Sequence, residues 1–132
     1  MKEAKKYFRL MLGAKSAHVN DCLQGNFVGA DFSIEQDLTN DLPEQWRDFN
    51  EKFRPIYLEK FPSKKKVTAG LACGNLWTVC KGMRIGDIVL CPDGTGTYRV
   101  GEITSDYHHH PKEILPHRRT VQWYENGIDR SE

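Results

Sequence analysis

The sequence has no apolar run long enough to span a bilayer or to form the core of a signal peptide, and its N-terminus carries Lys2, Glu3, Lys5 and Lys6 instead. An intracellular, cytoplasmic protein that engages no membrane is the reading that follows. Closely spaced cysteines are missing as well. Cys22, Cys73, Cys80 and Cys91 lie 51, 7 and 11 positions apart, whereas a zinc knuckle needs pairs a few residues apart, so reduced, mostly buried thiols and no metal site are predicted. An excess of one charge is absent too. The formal net charge is only +1, which leaves no global basic field, so any polyanion site has to be a local cluster.

Three enzymatic signatures are also lacking. Glu102 is followed by Ile103 and Thr104, not by the lysine that completes the Glu-x-Lys metal site of a PD-(D/E)xK nuclease. Cys91 to Gly96 (CPDGTG) has glycines but not the Gly-Lys-Ser/Thr ending of a phosphate loop. Cys73 and Cys80 fall on a packed helical pattern without a neighbouring base, which excludes an activated nucleophile there. The chain reads as a binding domain and not an enzyme, with no catalytic residue and no cofactor.

What is present is globular: 39% hydrophobic and 28% charged residues in 132, the size of one domain over 1–132. Alternation in KYFRLML predicts a first strand over Lys6–Leu12, with Tyr7 and Arg9 opposed to Phe8 and Leu10. A short helix over Ala17–Leu23, closed by Gly25, and a strand over Asn26–Phe32 follow. Asp41, Pro43 and Glu44 read as a helix start, with Trp46, Phe49 and Phe53 on the core face, a bend at Pro55 and an end at Pro62. Val67–Met83 reads as a second long helix stopped near Gly82. Ile85–Cys91 and Thr97–Ser105 form a hairpin across Pro92–Gly96, and Arg119–Tyr124 supplies the last strand. With so few crossovers, the class is α+β: a small twisted or barrel-like mixed sheet flanked by helices. The polar ending Asp129–Glu132 suggests a module cut from a longer chain.

Six segments carry a family likeness. KGMRIGDIVL (Lys81–Leu90) is similar to the corresponding element of PUA-like domains of the EVE and YTH branch. AGLACGNLWTVCKG (69–82), CPDGTGTYRVGEITSDY (91–107) and LPHRRTVQW (115–123), with YFRLMLG and GNFVGADFSIEQDLT nearer the start, resemble the N-terminal modules of modification-dependent restriction endonucleases. In those proteins a nuclease domain of the Mrr type, or an HNH domain, follows. The resemblance implies a PUA-like fold whose aromatic pocket accepts a flipped base: 5-methylcytosine, 5-hydroxymethylcytosine or N6-methyladenine. It also implies double-stranded DNA as partner and a fused C-terminal nuclease. A PUA-like module reading a modified RNA base, or a small-molecule or nucleotide sensor, remains an alternative.

A flipped base is held by stacking and by hydrogen bonds to its polar edge. Trp77, Tyr107, Trp123 and Phe32 are the candidate walls, and Asp31, Asp106, Asn75 and Ser16 the candidate edge readers; Trp46 is assigned to the core. Lys64, Lys65 and Lys66, and His117, Arg118 and Arg119, are candidate phosphate contacts, with at least one of the adjacent arginines pointing outward. His108, His109 and His110 cannot easily converge on one ion from a strand and read as an exposed loop.

Overall fold

The computed structural model describes residues 4–129. Seven strands form one mixed sheet in the order β1-β3-β4-β6-β2, with β5 on β6 and β7 on β4. They are β1 (Tyr7–Arg9), β2 (Phe27–Ala30), β3 (Ile88–Pro92), β4 (Thr97–Ile103), β5 (His108–His109), β6 (His117–Trp123) and β7 (Ile128–Asp129). Among the described residues only β1 on β3 is parallel; the other pairings are antiparallel. The sheet does not close, so the α+β class holds while a closed barrel does not. The helices are α1 (Val19–Gly25), α2 (Trp46–Lys60) and α3 (Lys66–Trp77). None is long and apolar enough to cross a membrane, among the described residues.

The core lies where the apolar faces meet. Phe49, Phe53 and Tyr57, one turn apart on α2, are buried, with the first two rings stacked at 4.4 Å. Ala69, Ala72, Cys73 and Leu76 of α3 join them, as do Val28, Val89, Ile103 and Val121 from the sheet. All four cysteines are buried and free. Burial pushes the Cys22 thiol up to about 12 and Cys73 up to about 11, and raises Cys80 and Cys91 further.

Several boundaries depart from the pattern reading, each for a local reason. α1 runs two residues past Leu23, to Gly25, because Asn26, not Gly25, takes the left-handed cap at φ 57°. α2 starts at Trp46 after Gln45, not near Asp41. The would-be cap is engaged elsewhere: the Asp41 carboxylate accepts from Lys52 Nζ and the Pro43 carbonyl accepts from Trp77 Nε1 at 2.9 Å. Residues 39–45 therefore run as a strap over the end of α3. Trp46 is not core; it is 46% exposed, with the Arg47 guanidinium over its ring at 5.4 Å. α2 runs unbroken through Pro55. β6 begins earlier than Arg119, at His117. The histidines are not a free loop: His108 and His109 form β5 against β6, and their rings are half-buried.

α3 does not continue to Met83 as an α-helix. Thr78–Gly82 form one π-helical turn, closed by the Met83 N–H donating to the Thr78 carbonyl at 2.8 Å. Such a turn carries one residue more than an α-turn and re-aims its carbonyls. Here the Val79 and Met83 carbonyls point at β6, where an arginine meets them.

Candidate functional site

β6 is the strand that decides the site. Its first half pairs with β2 on one side and β5 on the other, and its second half pairs with β4. Neighbouring residues on it do face opposite ways, but both faces are covered. Arg119 is 2% exposed; Nε donates to the Ser105 carbonyl at 2.8 Å, and Nη1 donates to those of Val79 at 3.1 Å and Met83 at 2.5 Å. Arg118 goes to the other face, donating to the Leu115 and Ile114 carbonyls with its guanidinium 3.9 Å over the Phe27 ring. The expectation that one of this pair points outward to phosphate is corrected. Each guanidinium ties a loop or turn to the sheet, which is the way a buried arginine avoids an uncompensated desolvation cost.

His117, the third member of that cluster, is also inside, with 0% exposure. Its Nε2 faces the Ile34 carbonyl and must carry the proton, so Nδ1 is an acceptor. Tyr107 O–H donates to that Nδ1 at 2.8 Å, and the Tyr107 oxygen accepts the Leu38 N–H at 3.0 Å. A relay Leu38–Tyr107–His117–Ile34 thus clamps the 34–38 loop to β6 with every polar atom in it paired. Burial holds His117 below the ordinary histidine value and raises Tyr107 well above the usual phenol value.

Beside this relay lies an open cavity of about 800 Å³, between β1, β6, the π turn, the 39–45 strap and the loop before β5. That volume is within the range of small-ligand sites. Trp77, Tyr107 and Phe8 supply its rings, and Asp106, Thr39 and Thr78 supply polar groups. The rings are pre-oriented, because Trp77 Nε1 is held by the Pro43 carbonyl and Tyr107 by the relay. Gly82 backs the tryptophan so closely that a Cβ there would stand 3.1 Å from its ring. The Asp106 side chain is exposed, and its carboxylate sits close enough to Arg119 for the two charges to attract. Arg119 reaches the wall with Nε and Nη1 engaged, leaving Nη2 without a hydrogen bond among the described residues. Four cationic side chains, Lys6, Lys81, Arg84 and Arg119, line the space against two carboxylates, Glu44 and Asp106.

Of the eight base-pocket candidates, the structure brings together Trp77, Tyr107 and Asp106. The rest stand elsewhere. Trp123 packs on Gly101 and donates to the Cys22 carbonyl at 3.0 Å, and Phe32 packs on the core. The Asp31 carboxylate accepts the Ser33 N–H at 3.0 Å in its own turn, and Ser16 Oγ donates to the Pro92 carbonyl at 2.7 Å. Asn75 is exposed on α3 and does not line the cavity. Lys64, Lys65 and Lys66 are exposed, but Lys66 opens α3 while Trp77 closes it, which puts the cluster about 16 Å along the helix from the cavity.

Sequence reasoning did not find Lys6, Phe8, Lys81, Arg84 or Ile85 as site residues. They come from segments far apart in the chain, and none forms a cluster. The one signal available was the Gly86-Asp87 pair, whose turn faces the cavity.

Fold and site together define an α+β domain whose open mixed sheet carries an aromatic, net-basic cavity against a π turn. The chain belongs to the family described as "Domain of unknown function (DUF8426)", whose model matches residues 8–132. No curated protein and no solved structure matches it.

Proposed function

We propose that this chain is a PUA-like module of the EVE/YTH kind that binds DNA by holding one extruded, modified base in the cavity, and that it targets a nuclease fused to it. The observation that carries the proposal is the cavity itself: fixed Trp77 and Tyr107 rings beside an exposed Asp106 carboxylate and basic side chains. Flat rings provide stacking, and stacking on a protein ring is worth ~1–3 kcal/mol per base. A carboxylate accepts from an exocyclic amine, which cytosine and adenine have and thymine lacks. Lys6, Lys81 and Arg84 at the cavity take over the phosphate role first given to Arg118 and Arg119.

The test is titration of the protein against duplexes identical except for 5-methylcytosine, 5-hydroxymethylcytosine or N6-methyladenine at one position. Tighter binding to one modified duplex is the expected result, and equal weak binding to all removes the reading. RNA of the same sequence is the control arm, since a preference for it would assign the cavity to RNA. Charge reversal at Lys6 and Lys81 separates a polymer reader from a small-molecule sensor: a reader loses affinity and salt dependence, and a sensor keeps its ligand.

A further inference from the structure

Extruding a base leaves a gap in the duplex, and proteins that distort DNA commonly fill such gaps or wedge open base steps with an apolar side chain. The geometry points to Ile85 as that wedge. Ile85 lines the cavity and is nevertheless 59% exposed, which places it at the mouth. An exposed isoleucine alone is ordinary. What sets this one apart is the turn that presents it.

Arg84, Ile85, Gly86 and Asp87 form a tight turn in which the Asp87 N–H donates to the Arg84 carbonyl at 2.9 Å. Gly86, at φ 98°, takes the left-handed conformation that a type II turn needs at its third position, so Ile85 occupies the outward-pointing second position. The turn is braced from three sides. The buried Asp87 carboxylate accepts the Arg84 N–H at 2.8 Å and the Lys6 N–H at 3.1 Å, and the Gly86 N–H donates to the Ile103 carbonyl at 2.8 Å. A wedge has to keep its shape against the stack it enters, and this bracing supplies that stiffness. Lys6 lies beside the tip, a charge suited to a phosphate next to a gap.

This inference rests on the base-reading proposal and adds a claim that the reading does not require: Ile85 acts only on duplex DNA, because a single strand has no gap to fill. The experiment compares wild type with Ile85→Ala on a duplex and on a single strand carrying the same modified base. The substitution is at an exposed position, and a matched melting midpoint confirms that the variant is folded. Expected is a loss of about tenfold in duplex affinity, the size of one stacking-type contact, with single-strand affinity unchanged. Restoration by Ile85→Leu or Ile85→Met, which keep an apolar tip, is part of the expectation.

Unchanged duplex affinity in Ile85→Ala overturns the wedge while wild-type discrimination between modified and unmodified DNA leaves the reading standing. Equal losses on both substrates also overturn it, since they make Ile85 a cavity wall. A wild type that does not discriminate brings down the reading and the wedge together.

Discussion

Replacing Tyr107 with phenylalanine keeps the ring in the cavity wall and removes one oxygen, so it separates the relay from the stacking surface. In the wild type that oxygen accepts the Leu38 N–H and its hydrogen goes to His117 Nδ1. Leu38 and His117 are both 0% exposed, so water does not readily replace either bond. An orphaned buried donor or acceptor costs ~1–3 kcal/mol, which puts Tyr107→Phe at ~2–6 kcal/mol for the two groups. Domains have ~5–15 kcal/mol in all, so the loss is large, and for this chain length it lowers the melting midpoint by roughly 10–20 °C. Urea denaturation followed by tryptophan fluorescence reads the change as a lower midpoint at constant slope. Affinity for modified DNA, measured well below the new midpoint, changes little, whereas Tyr107→Ala loses a further ~1–3 kcal/mol of preference for the modified duplex. A Tyr107→Phe midpoint within a degree or two of wild type would refute the relay as a stabilising clamp.

Acid weakens the same clamp. His117 is held below its ordinary 6.5 by burial, and His108 by burial and the neighbouring His110 charge, so on acidification the unfolded chain takes up these protons first. Stability is fully present above about pH 6.5 and falls as the pH drops below it, and a His117→Gln variant shows a shallower fall between pH 6.5 and 5 in the same denaturation assay. Arg119→Met leaves the Ser105, Val79 and Met83 carbonyls without their donor. It costs ~3–5 kcal/mol of stability in thermal melts, where a surface phosphate contact would cost binding alone. The four buried thiols, with their proton affinity raised by desolvation, resist a thiol reagent at pH 8 in the native state and react fully once urea unfolds the chain. Rapid native labelling of any of them would contradict that burial.

Local chemistry was legible because its physics is local. The alternation of Tyr7, Phe8 and Arg9, the Phe49–Phe53 face of α2, and the turn formers of Asp93–Gly96 each appear where the pattern put them. Periodicity reports which face a residue takes, and that is settled by covalent geometry. The helix start at Asp41 was not legible, because its carboxylate is taken by Lys52 from across space.

The amino-acid order by itself determined the types of the longer elements, their apolar faces and the presence of two aromatic residues, Trp77 and Tyr107, that end in one cavity. Only the tertiary structure decided what β6 does. A run of His117, Arg118 and Arg119 looks like a surface cluster until β2 and β5 pair on either side of it and the π turn and Phe27 cover its two faces. Burial depends on what the rest of the chain brings to each face of a strand, and long-range pairing carries no mark in the residues of the strand itself. For the same reason Lys6, Arg84 and Ile85 meet at one cavity mouth although no spacing in the chain relates the first to the other two.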